Sequence, residues 1–137
     1  MSVQTVHNYF QNIFNDVHDK NGSYSKFFNN GKPFIIANYK NNILHGTYTY
    51  YYPNGQPAEI LTFVNGVLDG PFKSFYYDGN RCEISSYKNG TKHGSCVKYY
   101  DNGNICSKVN YQFNQLCGEC FYYTYDEELA LSENQLN

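Results

Sequence analysis

Residues 46–69 read GTYTYYYPNGQPAEILTFVNGVLD, and residues 70–93 read GPFKSFYYDGNRCEISSYKNGTKH. Both stretches are 24 residues long, begin with glycine and carry their later turn signals at the same places. Extended outward, the same 24-residue spacing separates five glycines. These structural repeat glycines are Gly22, Gly46, Gly70, Gly94 and Gly118. The spacing predicts an array of four to five repeats over residues 22–125.

Each repeat contains two turn signals. The first set is Asn30-Gly31, Asn54-Gly55, Asp78-Gly79 and Asn102-Gly103, and the second is Asn65-Gly66 and Asn89-Gly90. Asn42 and Asn114 replace glycine in the other repeats, and asparagine tolerates positive φ better than most residues. Such turns between runs of β-branched and aromatic residues are typical of type I′ hairpins. We therefore predict a mostly β fold, a single-layer antiparallel β-meander of hairpin repeats.

Aromatic residues recur two, five, six and seventeen positions after the repeat glycines, as in Tyr48, Tyr51, Tyr52 and Phe63. If both turns are two-residue hairpins, the second, sixth and seventeenth positions share one face of the sheet. The fifth positions then lie on the opposite face. A bulged turn would shift one strand by a residue and exchange its faces.

The two ends of the chain differ from the repeats. Residues 3–17 have apolar side chains at helical spacing, so we predict an amphipathic capping helix within residues 1–21. Residues 126–137 begin with three acidic residues and continue with leucines, which predicts an acidic C-terminal cap or tail, with a short helix closing that end.

Composition excludes several classes of protein. The formal net charge is −2 and only 16% of residues are charged, so we expect no nucleic-acid binding. Apolar runs are too short for a membrane helix, and the first residues do not resemble a secretory signal. The five cysteines are an odd number, which favours a reducing compartment over a disulfide framework. We therefore expect a cytoplasmic or other intracellular protein.

The pattern Gly-x-Tyr, Tyr-Tyr-x-Asn-Gly and Glu-x-x-x-Phe/Tyr-x-Asn-Gly is clearest from Gly46 to Gly94. It resembles MORN repeats (membrane occupation and recognition nexus), in the variant form found in bacterial antitoxin components and in large DNA viruses. The resemblance covers about residues 22–125 and implies stacked β-hairpins that serve as a scaffold or protein-binding surface. It implies structural roles for the repeat glycines and for the aromatics Tyr48, Phe63, Phe72 and Tyr87. The fourth repeat departs from the pattern at Cys96 and Ser107.

Three groups of residues are candidates for chemistry. Cys117 and Cys120 have the spacing of a zinc half-site, but no second half-site follows, so we favour packing of small residues and predict no metal or other cofactor. His45 and His93 share a repeat position beside a turn, which favours a polar turn role over catalysis. Glu59 and Glu83 also share a repeat position, which favours cross-strand hydrogen bonds or ion pairs.

We predict a non-enzymatic protein interaction or scaffold module whose tyrosine-rich face binds a partner protein or a second copy of the chain, as in a homodimer. A fifteen-residue helix, about 22 Å long, cannot cover the aromatic face of four repeats. The predicted partner-binding residues are Tyr48, Tyr50, Tyr52, Phe63, Phe72, Tyr76 and Tyr87. One alternative is an antitoxin component that neutralises a toxin, and another is a peripheral membrane protein using Lys40, Lys88, Lys92 and Lys98. We expect no catalytic residues.

Overall fold

The structure is a computed structural model that describes Phe14 and residues 18–135. These residues form one twelve-stranded antiparallel sheet. The strands are β1 (Gly22–Phe27), β2 (Pro33–Lys40), β3 (Ile43–Tyr51), β4 (Pro57–Val64), β5 (Val67–Leu68), β6 (Gly70–Phe75), β7 (Arg81–Lys88), β8 (Thr91–Lys92), β9 (Gly94–Tyr99), β10 (Ile105–Gln112), β11 (Gln115–Tyr123) and β12 (Leu129–Gln135).

The strands follow one another across an open sheet in the order β1-β2-β3-β4-β6-β7-β9-β10-β11-β12. The short strands β5 and β8 pair with β4 and β7 and lead directly into β6 and β9. Each 24-residue repeat therefore contributes one hairpin. The predicted mostly β, open antiparallel meander is confirmed.

The second set of turns has the predicted type I′ conformation, with positive φ at both central residues. Asn65 and Gly66 have φ of 48° and 80°, and Asn41 and Asn42 have φ of 50° and 66°. At Asn42 the side chain has a further role, because its Oδ1 accepts the N–H of Lys20 at 2.6 Å.

The first set of turns differs from the two-residue prediction. The Gly55 N–H donates to the Tyr52 carbonyl at 2.9 Å, and the Tyr52 N–H donates to the Gln56 carbonyl at 2.8 Å. Gly55 has a φ of 93°, whereas Asn54 is not among the residues with positive φ. This is a three-residue loop, a type I turn completed by a glycine bulge. A separate bulge follows at Ala58, where the register shifts, because Tyr51 pairs with Pro57 but Tyr50 pairs with Glu59.

One face of the sheet carries the core, and we call it the core face. The second and seventeenth positions share this face, as predicted, because the rings of Tyr48 and Phe63 lie 6.1 Å apart and those of Phe72 and Tyr87 lie 5.9 Å apart. The larger core cluster is Phe14, Ile35, Ala37, Tyr39, Leu44, Tyr48, Leu61, Phe63, Leu68 and Phe72. A smaller cluster in the last repeats consists of Cys96, Val109 and Cys120.

The helices predicted at the two ends of the chain are not found among the described residues. The helix predicted over residues 3–17 lies outside the described residues except for Phe14, and the described residues contain no helix, so the capping helix is not supported. Phe14 itself is buried against the first repeat, with its ring 6.0 Å from that of Tyr39. The short helix predicted after residue 126 is wrong, because Leu129–Gln135 is strand β12 and pairs with β11. A fifth turn of the repeat type precedes it, with Glu127 at a φ of 64° in the glycine position.

Candidate functional site

The seven predicted partner-binding residues do not form one exposed surface. Tyr48, Phe63 and Phe72 retain only 2%, 2% and 5% of their accessible area, so they belong to the core and offer no surface to a partner. Tyr50 and Tyr87 are half-buried and pack against the same core. Within a hairpin, the core-face aromatics meet edge to face, as Tyr48 does with Phe63 and Phe72 with Tyr87.

The remaining two predicted residues belong to a ladder of tyrosines beside the three-residue turns. The Tyr52 hydroxyl donates to the Phe75 carbonyl at 2.9 Å, and the Tyr76 hydroxyl donates to the Tyr99 carbonyl at 2.7 Å. Tyr100 repeats the contact one hairpin later. Burial and then a hydrogen bond with Cys82 raise the pKa of Tyr76 to about 12. These hydroxyls join successive repeats.

A half-buried ion pair interrupts the apolar core face between the third and fourth repeats. Lys92 Nζ lies 2.8 Å from Glu83 Oε1, and Ser85 Oγ donates to the same carboxylate at 2.7 Å. Burial alone would raise the pKa of Glu83, but the hydrogen bonds from Lys92 and Ser85 and the charges of Lys92 and Lys98 outweigh it and lower the pKa. The pKa of Lys92 is correspondingly raised, since its bond to Glu83 outweighs its burial. For Glu83, the predicted ion pair is confirmed.

Glu59 and Cys96 lie near this pair but respond differently. Burial, followed by the charge of Glu83, raises the pKa of Glu59. Burial and the Glu83 carboxylate likewise raise the pKa of the Cys96 thiol to about 11. A thiol that stays protonated at neutral pH is a poor nucleophile, so Cys96 is a packing residue.

The cysteines provide no metal centre in the described part of the chain. All five are free thiols, and Cys96 and Cys120 are fully buried. Among residues 18–135, no group of three or more histidine, cysteine or acidic side chains is placed to hold a metal ion.

The repeat position shared by His45 and His93 lies beside a turn, as predicted. His45 Nδ1 accepts the N–H of Asn65 at 3.2 Å, and the Asp69 carboxylate accepts the N–H of Asn89 at 3.2 Å in the next repeat. In the fourth repeat His93 instead packs on the ring of Phe113, 5.6 Å away.

The four lysines considered for membrane contact are not brought together. Lys40 and Lys88 occupy the same position two repeats apart, roughly 19 Å along the sheet at about 4.8 Å per strand. Lys92 is engaged by Glu83, and Lys98 is paired with Glu83 across β7 and β9. No helix formed by the described residues is long and apolar enough to cross a bilayer.

The opposite side of the sheet, which we call the open face, carries three rows of side chains. The central row crosses ten strands through the cross-strand pairs Ser25, Ile36, Thr49, Ile60, Lys73, Ile84, Val97, Lys108, Phe121 and Ser132. The ring row lies beside the three-residue turns and contains Phe27, Tyr51, Phe75, Tyr99 and Tyr123. The polar row lies beyond the central row and contains mainly serine, threonine and asparagine, such as Thr47, Thr62 and Asn110.

The open face is both apolar and basic. Lys73, Arg81 and Lys108 are exposed there, and the Arg81 guanidinium lies 4.6 Å from the centre of the Tyr99 ring. Glu119 is the acidic side chain of the polar row. Near the last repeats, a shallow depression of about 270 Å³ is lined by Ser95, Val97, Lys108, Val109, Asn110, Glu119 and Phe121.

Sequence reasoning did not select the open face, although its signal was present. The fifth-position aromatics were correctly expected on the face opposite Tyr48, and Ile36, Ile60 and Ile84 repeat at the 24-residue spacing. The sequence prediction instead places the partner site on the face richest in tyrosine, which is the face that folding buries.

Comparison with solved structures returns distant similarities. One is a crystal structure of a mutant of S. aureus TarM in complex with fondaparinux, alpha-GlcNAc-glycerol and UDP, with 13% identity and a TM-score of 0.34 over 93% of this chain and 25% of that chain. Another TarM crystal structure has 13% identity and a TM-score of 0.33 over 90% of this chain and 26% of that one. The chain thus spans about a quarter of the length of these proteins. A search of curated proteins found no match.

Comparison with protein families gives a direct result. The model described as MORN repeat variant matches four times, at residues 20–41, 44–65, 68–89 and 92–113. The four matches follow the hairpins of the sheet, and β12 lies beyond the last match. The chain therefore belongs to the MORN repeat variant family, whose repeats are generally protein or membrane interaction modules.

Proposed function

We propose that the chain is a non-enzymatic interaction module that binds a partner protein through its open face. The observation that carries this proposal is the placement of the aromatics. The core-face rings pack on one another, whereas the open face presents partly exposed apolar side chains in two rows. These are the five rings of the ring row and, in the central row, Ile36, Ile60, Ile84, Val97 and Phe121. Repeated aromatics on a broad sheet face provide large rigid contact area at low entropic cost.

The charges of the open face specify the chemistry of the partner. Lys73, Arg81 and Lys108 are exposed beside the apolar rows, and the whole chain is slightly acidic. A partner surface that is apolar at its centre and acidic at its rim complements this arrangement. Arg81 stacked on Tyr99 combines two residue types that often dominate binding energy.

The proposal is tested with two matched double variants and the partner that co-purifies with the native chain. Tyr51→Ser with Tyr99→Ser alters the open face, and Tyr52→Ser with Tyr76→Ser alters the tyrosine ladder. We expect the first variant to lose at least tenfold in partner affinity while its circular dichroism spectrum stays native. The second should unfold more easily, because each hydroxyl-to-carbonyl bond contributes about 1 kcal/mol, but should keep its affinity once folded.

The reverse result would contradict the proposal. If the folded ladder variant loses the partner and the open-face variant keeps it, the partner binds the core-face side. Tyr50, Tyr52, Tyr76 and Tyr87, which the sequence predicts as partner-binding residues, lie on that side. Charge reversal at Lys73 and Lys108 offers a second check, since it should weaken binding and remove its salt dependence.

An anionic membrane is the alternative ligand for the basic open face. Each lysine or arginine at such a surface contributes about 1 kcal/mol, so three cations on a chain of net charge −2 give weak attraction. We expect no sedimentation with vesicles containing phosphatidylserine at physiological salt. Sedimentation that Lys73→Glu with Lys108→Glu abolishes would instead favour the membrane role.

The antitoxin role, the cytoplasmic or intracellular location and a viral or low-GC bacterial origin remain predictions from the sequence. Of these, the antitoxin role makes the sharpest claim about a partner. It predicts that the co-purifying protein is a toxin whose activity the folded chain suppresses, and that the open-face variant fails to suppress it.

A further inference from the structure

The two outermost strands of the sheet are exposed edges. Within the described residues, β1 and β12 stand at the two ends of the strand order. Residues 129–134 of β12 are exposed, and so are Gly22, Ser23 and Ser25 of β1. Strand edges present backbone N–H and C=O groups that can template pairing with another chain.

The repeat makes these two edges complementary in register. At every joint between repeats, the second strand of one hairpin pairs with the first strand of the next, as β2 pairs with β3. β12 is the second strand of the last hairpin, and β1 is the first strand of the first. The Gly22-x-Tyr24 sequence of β1 matches Gly46-x-Tyr48 of β3.

We propose that copies of the chain associate head to tail, with β12 of one copy pairing antiparallel to β1 of the next and continuing the sheet. The β2–β3 register, in which Ile35 faces Tyr50 and Ala37 faces Tyr48, transfers directly to this joint. In this register, Leu131 lies opposite Lys26 of the next copy, and Glu133 lies opposite Tyr24 of the next copy. Such a contact joins two different surfaces, so it builds open chains rather than closed dimers.

Charge complementarity favours this arrangement over the pairing of like ends. Residues 18–32 contain three lysines and one aspartate, Lys20, Lys26, Lys32 and Asp19. Residues 126–135 contain four acidic residues, Asp126, Glu127, Glu128 and Glu133, and no lysine or arginine. Two β12 edges would repel each other, and so would two β1 edges, whereas unlike ends attract.

An internal joint shows a related pairing of lysine with glutamate. Lys92 and Lys98 flank Glu83 where the third hairpin meets the fourth. Lys20 and Lys26 occupy the equivalent positions three repeats earlier in the sequence. In the head-to-tail joint, Glu133 is the diagonal cross-strand neighbour of Lys26, at about 7–8 Å between backbones, which long side chains can span.

Sedimentation velocity of the purified full chain at low salt tests the proposal. We expect the weight-average mass to rise continuously from about 1 μM to about 1 mM, without a plateau at the dimer. At about 1 M salt, where the Debye length is about 3 Å, association should weaken at least tenfold. A monomer at every concentration, or a dimer that saturates, would overturn the proposal.

Charge-reversed variants distinguish this joint from any other self-contact. Lys26→Glu with Lys32→Glu makes the β1 end acidic. The triple variant Glu127→Lys, Glu128→Lys and Glu133→Lys makes the β12 end basic, because only Asp126 then remains against three lysines. Each variant alone should remain monomeric, and an equal mixture should associate again because both of its joints are complementary. The control Lys88→Glu, which lies away from both end strands, should associate like the unmodified chain.

Two results would contradict the proposed head-to-tail joint. Association of either charge-reversed variant on its own would show that the end strands are not the contact. A mixture that stays monomeric would exclude head-to-tail complementarity, provided that both variants keep the native circular dichroism spectrum. Partner binding by the open face does not depend on this joint, so failure of one proposal leaves the other standing.

Discussion

At the scale of single residues, the repeat glycines mark backbone positions that other residues adopt only at a cost. Gly70 has a φ of 118°, and a Cβ there would lie 3.1 Å from Thr62 Cγ2. Gly118 has a φ of 66°, with no atom within 4 Å of such a Cβ. The 24-residue spacing therefore reports bulge geometry as well as turns, and the sequence revealed the spacing but not the bulges.

Substitution of these two glycines by alanine should lower the free energy of unfolding by unequal amounts. We expect Gly118→Ala to lower the free energy of unfolding by about 1 kcal/mol, the strain of left-handed backbone. Gly70→Ala should cost about 2–3 kcal/mol, because the added methyl group also contacts a neighbouring strand. Urea unfolding followed by circular dichroism measures both. Equal costs would contradict the role assigned to Thr62.

The two glutamates at equivalent repeat positions should also respond oppositely to substitution. Glu83 has a lowered pKa, so its stabilising contribution is complete above the unfolded value of about 4.3 and is lost as pH falls through its folded pKa. Glu59 has a raised pKa, so its contribution is present at acidic pH and is lost as pH rises through its folded pKa.

At pH 7, Glu83→Gln should therefore destabilise the chain by about 1–3 kcal/mol, between the values for exposed and buried ion pairs. Glu59→Gln should raise the melting temperature at pH 7, because it removes a carboxylate that burial disfavours. Once pH has fallen below both folded pKa values, both substitutions should have little effect, because both carboxyl groups are then protonated. Thermal unfolding from pH 3 to pH 8 gives the comparison, and the same sign for both variants at pH 7 would contradict the assignment.

At the scale of hairpins, the sequence predicted one turn class and misjudged the other. Asn-Gly was the signal in both, yet Asn65-Gly66 forms a type I′ turn while Asn54-Gly55 closes a three-residue loop. The difference arises because the Tyr52 N–H pairs with the Gln56 carbonyl outside the turn, which adds one residue to the loop. Turn residues alone do not determine where the ladder resumes.

The tyrosine ladder is an element that joins successive hairpins. Tyr76→Phe removes the bond from its hydroxyl to the Tyr99 carbonyl and should lower the free energy of unfolding by about 1 kcal/mol. Tyr77→Phe is a matched control, since Tyr77 is 58% exposed beside the same turn, and should change it by less than about 0.5 kcal/mol. Chemical denaturation at neutral pH measures both. If Tyr76→Phe leaves the free energy of unfolding unchanged, the hydrogen bond does not couple the repeats.

At the scale of the whole molecule, the sequence predicted the repeat, the open sheet and the shared face of the core aromatics. It could not predict which aromatics stay accessible, because burial depends on how hairpins pack rather than on residue type. Phe63 and Phe75 illustrate this, since the repeat pattern places them on opposite faces, as observed, but does not show that the face of Phe63 is the buried one. The C-terminal strand was missed because Glu127 replaces the expected turn glycine.

The most direct test of the open-face account is hydroxyl-radical footprinting of the chain alone and in complex with its co-purified partner. Oxidation is measured residue by residue, so the two faces are read in one experiment. The account predicts protection of Phe75, Tyr99 and Phe121 on binding, with Tyr52 and Tyr76 unchanged. Protection confined to Tyr52 and Tyr76, with the open-face rings still oxidised at the free rate, would contradict it.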